Sequence, residues 1–130
     1  MRILVIEDDF VSRRVLGRFL DAFGAVTSAV DGPDGLSTLW NAAAEGKPFD
    51  LVLLDVQMPG IDGLEVLRQI RAEEATSGRP ATRAVMTTAN DSLDTVKQAY
   101  QALCDGFLVK PVRKAALYRT LETLGIPLPA

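Results

Sequence analysis

Five short apolar runs alternate with five longer stretches in which apolar residues recur every three or four positions. The runs cover residues 3–6, 25–29, 51–54, 84–86 with their flanks, and 107–109. The first and third are apolar throughout, the pattern of parallel strands covered on both faces. The second sets Val26 and Val30 among Thr27 and Ser28 and suits an edge strand. Between the runs, Val11, Val15, Leu16, Phe19 and Leu20 share one side of a predicted helix, with Arg13, Arg14 and Arg18 opposite. Leu36, Leu39, Trp40 and Ala43 make a second stripe, after Pro33 in a first-turn position that tolerates proline. The third helix opens on Asp62-x-x-Glu65, a capping-box spacing, and turns Leu64, Leu67 and Ile70 inward. The fourth follows Asp91 and carries Leu93, Val96, Tyr100 and Leu103. The fifth carries Leu117, Leu121 and Leu124 and stops at Gly125 and Pro127. All five stripes are expected to face the core. Residues 75–80 read as a polar loop and 126–130 as a frayed tail.

Strict alternation of strand and helix implies an α/β fold, a three-layer parallel sheet with helices on both faces and right-handed crossovers. Such sheets bind ligands at the carboxyl ends of their strands, where the strand order reverses. That rim is where chemistry should be sought. The first strand runs into Glu7, Asp8 and Asp9, and the third into Asp55. The fourth runs into Thr87, Thr88 and Ala89, and the fifth into Lys110 and Pro111. Each feature has a plain structural explanation. Asp9 is placed to cap the first helix, a Lys-Pro pair makes a turn, and paired threonines favour strands. Together they would gather several carboxylates, a hydroxyl and a lysine on one apolar-walled rim. Unpaired carboxylates within ~6 Å raise one another's pKa, and a hard cation would relieve the repulsion. Mg²⁺ suits such oxygen donors because it takes carboxylates, carbonyls and water in an octahedron.

Composition narrows the partners and the chemistry. At 130 residues the chain has room for one core, expected over residues 1–125 with a tail at 126–130. Its 48% apolar and 24% charged residues are those of an ordinary globular domain. A net charge of −3 argues against nucleic acid or an anionic membrane as the main partner. No apolar run approaches a membrane span, and the N-terminal segment does not read as a signal peptide. The single cysteine, Cys104, forms no internal disulfide, which points to the cytoplasm. Histidine is absent, so any acid–base, metal or phosphoryl chemistry must run on carboxylates, lysine, threonine or backbone groups.

The strings RILVIEDD, LVLLDVQMPGIDG, AVMTTAN and DGFLVKP resemble the four signature segments of response-regulator receiver domains, in the family's order and spacing. They span residues 2 to 111, nearly the whole chain. The resemblance implies a flavodoxin-like doubly wound fold with strand order 2-1-3-4-5. It also implies a receiver in a two-component or phosphorelay system, with Asp55 accepting a phosphoryl group. Asp8 would ligate Mg²⁺ (or Mn²⁺) directly and Glu7 through water, with the Gln57 backbone carbonyl as a further ligand. The Glu7-Asp8 pair is chosen over Asp8-Asp9 by its register with the strand and with Arg13-Arg14. Thr88, the Ala89 backbone N–H and Lys110 would hold the phosphoryl oxygens, and Phe107 would be the rotating aromatic of the switch. Gln57 and Asn90 would flank the hydrolytic water and slow dephosphorylation. The Lys110–Pro111 bond is expected to be cis.

The donor would be a sensor histidine kinase or a histidine phosphotransfer protein. The output would be a protein target docked on the face of helix four, strand five and helix five. Helix five lacks the charge pattern of receivers that dimerise there, so a monomer is expected. Leu103 and Cys104 depart from the family's Gly-Ala and should alter the exit from helix four. Among the competing readings, a haloacid-dehalogenase-type phosphatase would need an Asp-x-Asp on the first strand, and here the residue two after Asp55 is Gln57. A flavodoxin-like electron carrier would need a first loop that accepts phosphate, and this one is acidic. A non-phosphorylated interaction module would have no use for Asp8, Asp55, Thr88 and Lys110 together. No residues remain for an output domain, so the chain either acts by docking or is part of something longer.

Overall fold

A computed structural model describes residues 1–129. Five parallel strands, β1 (Arg2–Ile6), β2 (Ala25–Ala29), β3 (Leu51–Asp55), β4 (Arg83–Thr88) and β5 (Gly106–Val109), pair in the order β2-β1-β3-β4-β5. The helices between and after them are α1 (Phe10–Leu20), α2 (Gly32–Ala44), α3 (Gly63–Ser77), α4 (Leu93–Gln101) and α5 (Lys114–Thr123). The side chains of β1 and β3 are buried on both faces and divide by parity. Leu4, Ile6, Val52 and Leu54 pack with Ala84 and Met86 under α2, α3 and α4. Ile3, Val5, Leu51 and Leu53 pack with Val85 and Leu108 against α1 and α5. The sheet is therefore the middle of three layers, as the alternation of elements predicts. β2 is the half-exposed edge strand expected from its sequence.

Side-chain caps fix where the first four helices begin. Asp9 accepts a hydrogen bond from Ser12 N–H at 2.8 Å, and Asp62 accepts one from Glu65 N–H at 3.0 Å. The first puts Asp9 into the frame of α1, and the second turns the chain just after Asp55. Gly63 is required there. Its N–H bonds the Val56 carbonyl at 2.9 Å, and a Cβ on it would lie 2.0 Å from the Asp55 carbonyl oxygen.

Several expectations about burial need correction. On α1 the buried residues are Leu16 and Leu20, whereas Val11 is 66% exposed and Val15 is also exposed. On α2 the buried face is Gly32, Gly35, Leu36, Leu39 and Ala42, and Trp40 stands largely outside it. α4 begins one residue later than expected, because Ser92 rather than Asp91 caps it through Thr95 N–H. Its apolar stripe does not face the core: Leu93 is 73% and Leu103 63% exposed, with Tyr100 exposed between them. The small face at Ala99 and Ala102 is buried instead. A nine-residue helix over β4 and the edge strand β5 has too little sheet beneath it to cover a wide stripe, so small residues make the close contact. At the C-terminus Ile126 is buried rather than frayed. Its N–H bonds the Leu121 carbonyl and the Gly125 N–H bonds that of Glu122, with Gly125 at φ 81°. These are the bonds of a Schellman turn, whose apolar contact joins the residue after the glycine to the last helical turn. Ala130 of the expected tail lies outside the described residues.

Candidate functional site

The ladder of the sheet brings the polar strand ends together. Asp55 closes β3 opposite Thr87, and Thr88 closes β4 opposite Val109. One residue further, Glu7 N–H bonds the Ala29 carbonyl and Lys110 N–H bonds the Thr88 carbonyl at 2.7 Å. Backbone pairing thus extends past the strands and holds Glu7 and Lys110 beside Asp55. The Lys110–Pro111 peptide is cis.

Glu7, Asp8 and Asp55 each offer a carboxylate oxygen within 4.8 Å of the others. Glu7 and Asp55 are buried, at 1% and 2% exposure, while Asp8 is exposed. Lys110 Nζ lies 2.5 Å from Glu7 Oε1 and 3.1 Å from Asp55 Oδ2. One ammonium therefore serves two buried carboxylates. Burial, followed by the hydrogen bond and negative charge of Asp55, pushes the Glu7 pKa up, and Lys110 offsets this only in part. Burial alone would lower the Lys110 pKa, but the hydrogen bond to Glu7 and the charge of Asp55 outweigh it and raise the value. Both directions describe a metal-free rim with more negative charge than its one lysine balances.

The donor set fits a hard divalent cation. All three side chains offer oxygen, and Glu7 Oε2 is buried without any hydrogen-bond partner. A buried unpaired carboxylate oxygen is costly and is relieved by a ligated or hydrated cation. Asp9 stays outside this cluster. Its hydrogen bond with Ser12 holds its pKa low, in keeping with a helix cap.

Around Asp55 the remaining residues take these places. Asp55 Oδ1 accepts from Gln57 N–H at 3.2 Å. The Gln57 side chain turns to β4, where its Oε1 accepts from the Thr88 hydroxyl at 2.6 Å and from Ala89 N–H at 3.3 Å. Thr88 is fully buried, and its Oγ1 accepts from Asn90 N–H at 2.9 Å. Asn90 Oδ1 in turn receives Ser92 N–H at 3.0 Å, which ties the loop to the start of α4. Phe107, opposite Met86 on β5, is half-buried against the core under α2, α3 and α4. Two contacts were not legible in the sequence. Arg13, placed on the polar side of the first helix, bonds the Glu7 carbonyl at 2.9 Å and braces the acidic loop. The Gln57 side chain, expected beside the path of the hydrolytic water, also accepts from Thr88 and Ala89. Nothing in the local pattern marks either contact, because both cross between elements.

The family model of the response regulator receiver domain matches residues 3–122. The chemotaxis protein CheY of Pseudomonas aeruginosa is 31% identical over 124 residues, covering 95% of each chain. The receiver domain of the histidine kinase CKI1 from Arabidopsis thaliana, complexed with Mg²⁺ and BeF₃⁻, superposes with a TM-score of 0.79. It is 30% identical, with 94% of this chain and 89% of that one covered. The receiver domain of the Saccharomyces cerevisiae response regulator Ssk1, in complex with the histidine phosphotransfer protein Ypd1, has a TM-score of 0.81. It is 26% identical, with 98% and 92% covered. Other curated relatives are far longer, and the chain spans 7% and 17% of two of them. With the doubly wound fold and an acidic rim at the ends of its strands, this chain belongs to the response regulator receiver domain family, the phospho-acceptor switches of two-component and phosphorelay signalling.

Proposed function

We propose that Asp55 accepts a phosphoryl group from a phosphohistidine on a sensor histidine kinase or a phosphotransfer protein. The observation that carries this reading is a buried carboxylate at the end of the central strand, 3.1 Å from Lys110 Nζ and clustered with Glu7 and Asp8. An Asp55 carboxylate oxygen attacks phosphorus in line. The phosphorus–nitrogen bond to the donor breaks, and its electron pair returns to the imidazole. Lys110 Nζ, already beside Asp55, neutralises charge on the transferring oxygens. Thr88 Oγ1–H and Ala89 N–H bond a phosphoryl oxygen. Asp8, Asp55 and the Gln57 carbonyl would hold Mg²⁺ or Mn²⁺, and Glu7 would assist through water. When bound, the cation supplies positive charge to the phosphoryl oxygens and to the crowded carboxylates. An exposed apolar side of α1, at Val11 and Val15, borders Lys110 and Pro111 and suits the approach of a donor protein.

The output reading rests on the face that the structure leaves bare. Leu93 and Tyr100 on α4, Leu103 in the turn after it and Val109 on β5 are exposed, and they offer apolar side chains to a protein target at α4, β5 and α5. Movement of Thr88 toward the phosphoryl group would free space for Phe107 and so couple the site to that face. In this reading the domain works as a monomer in the cytoplasm and catalyses only its own phosphorylation and slow dephosphorylation, with Gln57 and Asn90 beside the water's path. Among the described residues no helix is long and apolar enough to cross a membrane.

Intact-mass spectrometry after incubation with acetyl phosphate tests the acceptor. One phosphoryl group should be added in the presence of Mg²⁺, little without it, and none in Asp55→Asn. Stoichiometric labelling of Asp55→Asn would remove the assignment. Size-exclusion chromatography with and without BeF₃⁻ tests the monomer.

A further inference from the structure

Gln57 enters the scheme above through its backbone carbonyl and as a neighbour of water, yet its side chain is engaged elsewhere. Its amide oxygen accepts hydrogen bonds from the Thr88 hydroxyl and the Ala89 N–H, at 2.6 and 3.3 Å. The direction of both bonds follows from their chemistry. A backbone N–H can only donate, so the Gln57 atom facing Ala89 must be oxygen rather than nitrogen. Facing the same oxygen, Thr88 has to supply its own proton. It can do so because Asn90 N–H already fills the acceptor side of its hydroxyl at 2.9 Å. Thr88 is completely buried, so no exposed face offers its hydroxyl a water instead. While Asp55 is unphosphorylated, the Thr88 hydroxyl is therefore committed to Gln57, and the Ala89 N–H makes a longer bond to the same oxygen.

These are the same two donors assigned above to the phosphoryl oxygen. A hydroxyl proton and an amide proton cannot serve two acceptors at full strength at once. We infer that the Gln57 side chain is a latch, its amide oxygen standing in for the phosphoryl oxygen on Thr88 and Ala89 until phosphorylation displaces it. Gln57 is thus a positioning residue, acting on the phosphoryl group through Thr88 and Ala89. It sits on the exposed lip of the site, so the displaced amide returns to water without a large penalty. What the exchange loses is the net value of the two resting bonds, which sets how readily the site engages a phosphoryl group. The inference rests on the reading of Asp55 as acceptor.

The test uses Gln57→Met, which keeps length and approximate volume but removes the acceptor, with BeF₃⁻ plus Mg²⁺ as the phosphoryl probe. In the free protein, the Ala89 amide proton should change its NMR resonance and exchange faster with solvent in the variant than in wild type. Apparent BeF₃⁻ affinity should rise by about three- to tenfold, the span expected on removing the equivalent of one competing neutral hydrogen bond. An unchanged Ala89 amide together with unchanged affinity overturns the latch. So does a variant in which only the decay of the aspartyl phosphate changes, since that is the signature of a side chain that merely screens water. Wild type that takes up no BeF₃⁻ at all would overturn the acceptor reading and the latch with it, an outcome distinct from equal uptake by both proteins.

Discussion

Glu7 is the residue at which the charge of the site is least balanced. It is buried, its second oxygen is unpaired, and it shares Lys110 with Asp55. Its raised pKa lets the folded protein keep a proton that the unfolded chain releases. Stability of the metal-free protein should therefore fall as pH rises from the ordinary glutamate value through the raised one. Melting curves in EDTA should show higher Tm in mildly acidic buffer than at neutral pH, and Glu7→Gln should flatten that slope. Asp9 works in the opposite sense at lower pH. Its depressed pKa means that the cap stabilises above its unfolded value and is lost as pH falls through the folded one. Asp8 separates metal binding from this repulsion because it is exposed. Asp8→Asn should change metal-free stability by no more than about 0.5 kcal/mol, as exposed substitutions do, while removing most of the Mg²⁺-induced rise in Tm. A variant that keeps the full rise would take Asp8 out of the metal site.

Among the elements, two helix ends use the same turn with different residues. α5 closes with Gly125 at φ 81°, whereas α4 closes with Leu103 at φ 69°. The bonds match: Leu103 N–H reaches the Tyr100 carbonyl and Cys104 N–H that of Ala99, burying Cys104 as Ile126 is buried. The departure from Gly-Ala noted in the sequence leaves the turn intact and places a branched side chain in the left-handed region. Such a conformation costs about 1–2 kcal/mol without glycine, partly recovered because leucine loses less backbone entropy on folding. Leu103→Gly should stabilise the protein by about 0.5–1 kcal/mol in urea unfolding, since the side chain is mostly exposed and the Arg71 bond to its carbonyl is kept. It would also trim the apolar surface offered to a target. At the start of α3 the opposite holds. Gly63→Ala should destabilise by about 1–3 kcal/mol, because the added methyl meets the Asp55 and Val56 backbone and one of the two must move. Phosphorylation should slow even in conditions where the variant stays folded.

Over the whole molecule the rim is the place where folding and ligand binding oppose each other. The sheet brings Glu7 and Asp55 together with one lysine between them and Asp8 beside them, and the folded state holds the buried pair without a cation only at a loss of stability. Mg²⁺ should stabilise by linkage, by about 2.7 kcal/mol at a hundredfold excess over Kd, or about 10 °C in Tm for a domain of this size. Calorimetry of wild type with EDTA and with Mg²⁺ measures this directly. A Tm that ignores Mg²⁺ would show that the cluster holds no cation.

The order of elements and the make-up of the rim were legible in the sequence for one physical reason. A strand buried on both faces stays apolar until the chain leaves the sheet, so the first polar residue marks its end. In a parallel sheet all such ends lie on one side. Glu7, Asp55, Thr88 and Lys110 could be placed together before any contact was known. Which apolar residues are covered was decided by tertiary structure alone. Val11, Leu93 and Leu103 fit helical stripes as well as Leu16 and Leu117 do, and they remain exposed because no neighbour reaches them. The same holds for the partners of the site's polar atoms. The Glu7–Lys110 bond joins residues 103 apart and the Gln57–Thr88 bond residues 31 apart. A residue's period shows which way it points along its own element. What it meets there depends on how the elements are stacked, and only the packed sheet and helices set that.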